Sequence, residues 1–184
     1  MPEPTDPNDP AEPGPPRSES PPTLRVPRPD EATPADEMTM ARAWLTHLRE
    51  SAILKLEDLD DDQLRWAPAP TANSLGVIGT HLGYAERLWF RAIFAGEEMD
   101  MTWRQHMFEL PDGWSVDDVV AFYRAECAAA DAVLDRAPSF DLPSVAPIRP
   151  TTLRWVVTHM IEETARHVGH MDITRELLDG RIGR

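Results

Sequence analysis

The sequence predicts an all-α protein in which four amphipathic helices form one bundle. Apolar residues recur at helical spacing in four long segments, and no segment alternates between apolar and polar residues as a strand does. Connectors that contain proline or turn residues separate the four segments. The chain of 184 residues is long enough for one domain with a buried core. We therefore divide it into a tail, residues 1–35, and a four-helix bundle, residues 36–184.

Residues 1–35 are predicted to be a disordered, proline-rich tail. They hold most of the nineteen prolines of the chain and few apolar residues before Leu24 and Val26. Such a segment buries too little apolar surface to offset the entropy lost on ordering. Only the part from Leu24 to Pro29 is expected to lie extended along the domain, and we assign the tail no function.

The first helix is predicted to begin at Asp36, a good N-cap residue, and to continue to Leu59. Three successive aspartates, at positions 60–62, then end it and cap a short turn through Leu64. Residues 66–70 form a connector because neither of their prolines fits a helix interior. The apolar positions at helical spacing are Ala41, Leu45, Leu48, Ala52, Leu56 and Leu59.

The second helix is predicted from Ser74 to Ala95, with Gly96 as its end. Gly76, Gly79 and Gly83 interrupt it, and each glycine costs about 1 kcal/mol of helix stability relative to alanine. Close helix packing and room for a ligand are two explanations for these glycines. The apolar stripe consists of Leu75, Ile78, Leu82, Ala85, Leu88 and Ile93.

A long loop, residues 97–114, precedes the third helix, which is predicted from Val116 to Ala137. Loops of this length are often functional, and Trp103 and Trp114 are the loop residues that we expect at a site entrance. Ser115 with Asp118 indicates a capping box at the start of the third helix. Residues 138–150 then form the last connector.

The fourth helix, from Thr152 to Gly180, has ionisable residues inside its apolar stripe. At about 100° per residue, Glu163, His167 and His170 fall on the same face as Val156 and Met160. A carboxylate and imidazoles on a buried face are costly unless they are paired or bind a metal. The interruption therefore indicates a functional cluster.

A single divalent metal ion bound by His81, Glu163 and His167 explains this pattern. Glu163 and His167 are four residues apart, so their side chains lie on one helix face. His81 lies at mid-helix on the second helix and is expected to point inward. Three protein ligands would leave one coordination position open, as in catalytic zinc sites. Spacing alone leaves a second explanation open, in which these side chains only form hydrogen bonds.

The remaining candidates have less definite roles, and we assign no catalytic residue and no thiol-binding residue. His170 and His159 are the candidates for catalysis. His170 is a fourth ligand, a group that orients a ligand, or a substrate contact, whereas His159 orients a ligand or lies at the surface. Cys127, the only cysteine, is expected to be a small core residue rather than a nucleophile.

The charge of the chain excludes several partners. The formal net charge of -14 disfavours nucleic acids and anionic membranes, which attract basic surfaces. No window approaches the roughly 20 apolar residues of a membrane span. The N-terminus lacks the features of a secretory signal, and the single cysteine fits a reducing compartment. We therefore expect a cytoplasmic protein.

Two stretches resemble the DinB-like superfamily of metal-binding bundles. One runs from Ser74 to Leu82 and continues to Phe90, and the other runs from Leu153 to His170. The second stretch, together with the Ile-Gly pair at positions 182–183, resembles the actinobacterial mini-circle or mycothiol-transferase-like branch.

The resemblance implies a four-helix bundle, often a homodimer, that binds zinc or nickel. His81 and His167 match two ligand positions of the family. Glu163 stands where many members have histidine, although the maleylpyruvate isomerase relatives also have glutamate there. By resemblance, the protein is a metal-dependent thiol S-transferase that conjugates mycothiol, as a co-substrate, to electrophiles through a metal-bound thiolate.

Two other functions remain open. The first is a non-enzymatic metal-binding bundle that acts as a stress-linked structural or partner-binding protein. Val157, Ile161 and Val168 form an apolar strip beside the main stripe of the fourth helix, which is a candidate dimer face. The second is hydrolysis by a metal-bound water, for which only His170 or His159 could act as a base.

Overall fold

The structure is a computed structural model that describes residues 22–33, 35–147 and 149–183, and it confirms the predicted all-α bundle. Helix α1 packs against α5, and α3 packs against both α4 and α5. No helix in the described part of the chain is both long enough and apolar enough to cross a membrane. The helices are α1 (Glu37–Leu54), the short α2 (Asp61–Arg65), α3 (Leu75–Glu86), α4 (Val116–Asp135) and α5 (Leu153–Asp179).

The four long helices begin where the sequence predicts because a side chain caps the first turn of each. Asp36 accepts a hydrogen bond of 2.9 Å from the backbone amide of Thr39. Ser115 and Asp118 form the predicted capping box. At the other end of α5, Gly180 has a φ of 76°, which is the left-handed conformation typical of a glycine helix stop. The four capping residues are Asp36, Ser74, Ser115 and Thr152.

Helix α1 ends before the predicted Leu59, and a distant arginine explains the difference. The guanidinium of Arg175 on α5 is buried and donates hydrogen bonds of 2.9 Å to the backbone carbonyls of Lys55 and Glu57. Asp58 then takes a φ of 60°, a left-handed conformation that aspartate tolerates. The chain therefore turns at a point that helical periodicity does not indicate.

The second predicted helix is not regular throughout, because α3 continues as a π-helix over Arg87–Phe94. The amide of Ala95 donates to the carbonyl of Phe90 at 2.9 Å, which is the wide hydrogen-bond spacing of this geometry. Arg87 and Arg91 both reach Glu126 on α4, each at 3.0 Å. These ion pairs join the π-helix to α4.

The sequence left two explanations open for the glycines of α3, and the structure favours close helix packing. A Cβ atom at Gly79 would lie 2.8 Å from a methyl of Val119 on α4 and 2.9 Å from a methyl of Leu56. A Cβ atom at Gly83 would overlap the ring of Phe122. The absence of side chains at these positions lets α3 and α4 approach each other.

A polar layer lies between two apolar clusters. The first cluster includes Leu45, Phe90, Val156 and Met160. The second cluster includes Leu56, Leu82, Tyr123 and Met171. At and between these positions, α1, α3 and α5 each contribute buried polar side chains to this polar layer, namely Arg49, His81, Glu86, Thr164 and His167.

Part of the predicted tail contacts the bundle, and this corrects the expectation that the fold has no strands. Strand β1 (Thr23–Leu24) pairs in parallel with β2 (Ile182–Gly183). The ammonium group of Lys55 donates to the carbonyl of Leu24 at 3.0 Å. The predicted disorder of the rest of the tail concerns residues 1–21 and residue 34, which lie outside the described residues.

Candidate metal centre

Helices α3 and α5 bring the three predicted metal ligands to one point in the buried polar layer. His81 comes from α3, and Glu163 and His167 come from successive turns of α5. One ligand atom of each residue lies within 4.8 Å of the other two. The Oε1 atom of Glu163 is 3.1 Å from Nε2 of His81 and 3.2 Å from Nε2 of His167. The three side chains therefore form one cluster.

The donor set fits a divalent metal ion. Two imidazoles and one carboxylate form a set that catalytic zinc sites use, with one coordination position left open. Tetrahedral ligands at 2.0–2.1 Å from zinc are about 3.3 Å apart, close to the distances observed between Glu163 and the two imidazoles. In the described part of the chain, Nδ1 of His81 and Nδ1 of His167 are buried without a hydrogen-bond partner. Each ring directs its Nε2 atom toward Oε1 of Glu163.

The surroundings of Glu163 keep its carboxyl group ionised, as a metal ligand must be. Hydrogen bonds from His167 and His81 hold the pKa of this carboxyl well below its usual range, although burial acts in the opposite direction. Arg166 donates a hydrogen bond of 2.6 Å to the second oxygen, Oε2. One carboxylate oxygen therefore faces the imidazoles, and the other faces a guanidinium group.

Phe108 covers one ligand, whereas the two loop tryptophans contact other aromatic rings. The ring of Phe108 stacks on the imidazole of His81 with 4.2 Å between centroids, although 58% of Phe108 is exposed. Trp103 instead stacks on Tyr84, and Trp114 packs edge-on against Phe122. Phe108 lies in an irregular loop, so no periodic pattern in the sequence could have placed it over the site.

The two candidate catalytic histidines lie outside the cluster of three donors. His170 is exposed rather than buried on the apolar stripe, and its ring centroid is 5.6 Å from that of His167. It lines a cavity of about 320 Å³ near the start of α3. His159 packs between Trp89 and Trp155, with centroid distances of 4.6 and 4.9 Å, and desolvation lowers the pKa of its imidazole.

The polar layer also contains a buried ion pair that the sequence analysis missed. Arg49 donates two hydrogen bonds, of 2.8 and 2.6 Å, to the two carboxylate oxygens of Glu86, and a third of 2.7 Å to Asp131. Burial raises the pKa of the Glu86 carboxyl, whereas the contact with Arg49 lowers it. Cys127 is buried, and desolvation raises the pKa of its thiol, which agrees with the predicted core role.

The apolar strip predicted as a dimer face also packs against the chain's own core. Val157 is buried in the first cluster, and Ile161 packs against that cluster. Val168 packs against the second cluster. Ile161 and Val168 stay partly exposed, so the dimer face remains a prediction.

A helical bundle in which two imidazoles and a carboxylate converge between two helices has the architecture of the DinB-like class. A family model described as mycothiol-S-transferase matches residues 40–180, and the chain belongs to this family. The resemblance found in the sequence is therefore confirmed. The family indicates an S-transferase-like enzyme with a small-molecule thiol as substrate. No curated protein matches the chain significantly.

Solved structures with the same fold include two bacterial proteins. A conserved protein from Enterococcus faecalis is 16% identical, with a TM-score of 0.60, and the match covers 80% of this chain and 100% of that chain. A DinB-like protein from Bacillus cereus ATCC 10987 is 19% identical, with a TM-score of 0.54, and the match covers 74% and 91% of the two chains. At these identities the likeness shows the fold alone.

Proposed function

We propose that the protein is a metal-dependent thiol S-transferase that conjugates mycothiol to electrophiles. The observation that carries this proposal is the convergence of His81, Glu163 and His167 in the buried layer of a chain that belongs to the mycothiol-S-transferase family. Zinc is the proposed ion because imidazole and carboxylate ligands suit it, and nickel is the second option. We place the reaction in the cytoplasm, where small thiols stay reduced.

The side chains around the site have separate roles in this proposal. His81, Glu163 and His167 would hold the divalent ion, which would lower the pKa of a bound thiol and favour the thiolate at neutral pH. Arg166 holds the carboxylate of Glu163 in place through the contact with Oε2. Phe108 covers the imidazole of His81 and limits the access of water on that side. We assign no further catalytic residue.

The decisive experiment measures metal content and thiol-dependent activity in the same variants. Protein purified without a histidine tag should contain about one zinc or nickel ion per chain by elemental analysis, and it should consume monochlorobimane only with mycothiol. His81→Ala and Glu163→Ala should lose both properties, because each removes a ligand from a set of three. Glu176→Ala removes an exposed carboxylate from the same helix and is the matched control.

Two outcomes would contradict the proposal in different ways. Metal-loaded protein without thiol-dependent turnover would favour the non-enzymatic bundle, and a calorimetric titration with mycothiol would then test whether any thiol binds. Turnover that persists in metal-free His81→Ala protein would show that the reaction does not need the metal centre.

A further inference from the structure

A cavity of about 820 Å³ opens beside the π-helix, away from the three metal ligands. Its volume lies in the range typical of sites for small molecules. Most of its lining is apolar and comes from the π-helix, from the loop after it and from the connector before α5. The principal apolar residues are Leu88, Ile93, Met99, Met101 and Val145.

Two exposed arginines at this cavity form no ion pair with the described residues. Arg104 and Arg149 both line the cavity, and neither has a carboxylate within 4.0 Å in the described part of the chain. The guanidinium group of Arg149 lies over the ring of Trp89, 4.6 Å from its centroid, which restrains its position. Of the two glutamates at the cavity, Glu97 is already paired with Arg91 at 2.8 Å, and Glu98 is exposed.

Helix spacing and ring contacts relate the position of the cavity to that of the metal centre. Leu88 follows His81 by seven residues on one continuous helix, which is about 10 Å at 1.5 Å per residue. Trp89 contacts both Arg149 at the cavity and His159 on α5. His159 precedes Glu163 by one helical turn. Leu88 at the cavity and His81 at the metal centre are therefore about two helical turns apart.

We propose that this cavity holds the electrophilic co-substrate and favours electrophiles in which an apolar body carries a carboxylate. The apolar lining suits the body, and the guanidinium groups of Arg149 and Arg104 suit the carboxylate. A sugar-linked thiol, which is rich in hydroxyl groups, would need a more polar lining. The inference rests on the proposed S-transferase function and specifies the substrate class of that reaction.

Two matched probes separate the charge of the electrophile from its shape. In 4-(bromomethyl)benzoate, the thiolate sulfur forms a bond to the benzylic carbon, the carbon–bromine bond breaks, and bromide leaves with the electron pair. The proton of the thiol is released to the solvent when the thiolate forms. The methyl ester of the same compound reacts in the same way but has no negative charge.

The test compares the ratio of kcat/KM for the carboxylate to kcat/KM for the ester, with mycothiol and metal-loaded protein. We expect the wild type to favour the carboxylate, and we expect Arg149→Gln and Arg104→Gln each to lower the ratio about tenfold, mainly through KM. Arg136→Gln removes one exposed positive charge at the end of α4 and should leave the ratio within twofold. An equal ratio in the wild type and Arg149→Gln would overturn the proposal.

A binding measurement distinguishes failure of this inference from failure of the proposed function. If no variant turns over either probe, the S-transferase function fails, but the unreactive 4-methylbenzoate still reports on the cavity by isothermal titration calorimetry. Its affinity should fall about tenfold in Arg149→Gln and should survive metal removal with a chelator. An affinity that depends on the metal and not on Arg149 would show that the carboxylate binds at the metal centre, and the proposal would be wrong.

Discussion

At the scale of single residues, the candidate centre depends on what surrounds Glu163. Burial by itself would raise the pKa of this carboxyl and favour its neutral form. The imidazoles of His81 and His167 act in the opposite direction at Oε1, and Arg166 contributes a charged hydrogen bond at Oε2. Arg166 is therefore a positioning residue, since it touches the ligand and does not belong to the donor set.

We predict that Arg166→Gln weakens metal binding about 10-fold to 100-fold, as is usual when a group that orients a ligand is lost. Its half-exposed position favours the lower end of this range. Competition with a chromophoric chelator measures the affinity. Glu162→Gln is the control because Glu162 is the other carboxylate held by Arg166, at 2.9 Å, and does not belong to the donor set. Equal weakening in both variants would show that the contact with Glu163 is not the cause.

The packing of His159 predicts a dependence of stability on pH. Desolvation between Trp89 and Trp155 lowers the pKa of this imidazole below the ordinary value of 6.5. A base with a depressed pKa in the folded state contributes stability above its unfolded pKa and loses this contribution as the pH falls through the folded pKa. The difference in unfolding free energy between the wild type and His159→Gln should therefore be largest near about pH 8 and shrink below about pH 6.5. Urea unfolding at each pH, with a chelator present, measures the unfolding free energy of both proteins. A difference between them that does not change with pH would contradict the prediction.

The three predicted ligands that the structure brings together share a simple property. His81, Glu163 and His167 lie in the middle of long helices, where spacing alone determines the direction of a side chain. His170 lies at the edge of the same stripe, where packing rather than spacing decides exposure. Phe108 belongs to an irregular loop, and its position over His81 depends on contacts between distant parts of the chain.

At the scale of helices and strands, local and distant interactions determine different features. The starts of the long helices depend on caps formed within three residues, so the sequence predicts them well. The end of α1 depends on Arg175 of α5, and the π-helix is tied to Glu126 of α4. Such contacts cannot be derived from the periodicity of one segment.

The surroundings of two glycines predict opposite effects for their substitution by alanine. Gly79→Ala should destabilise the protein, because the added methyl overlaps Val119 and Leu56 and overpacking costs about 1–3 kcal/mol. Gly169→Ala on α5 meets no atom within 4 Å and should stabilise the protein by up to about 1 kcal/mol through helix propensity. Denaturant unfolding with a chelator present measures both changes. Stabilisation by Gly79→Ala would contradict the close packing.

At the scale of the whole molecule, the polar layer joins parts of the chain that are far apart in sequence. His81 lies in the first half of the chain and Glu163 near its end, and the layer also contains the pair between Arg49 and Glu86. An apolar layer would hold the same helices together without requiring each side chain to meet a specific hydrogen-bonding or charged partner. The polar layer instead makes the association of α3 with α5 depend on how its charges are paired.

Metal removal should therefore lower the stability of the entire domain. An ion that binds only the folded state adds about 2.7 kcal/mol when its free concentration is 100 times its dissociation constant. For a domain of this size, that loss corresponds to a fall in Tm of roughly 5–10 °C on addition of a chelator. Differential scanning calorimetry of the tag-free protein measures the change. His167→Ala is the matched control, because a chain that has lost a ligand should melt at the same temperature with and without the chelator. A wild-type Tm that does not respond to the chelator, in protein shown to contain the metal, would mean that the ion does not couple α3 to α5.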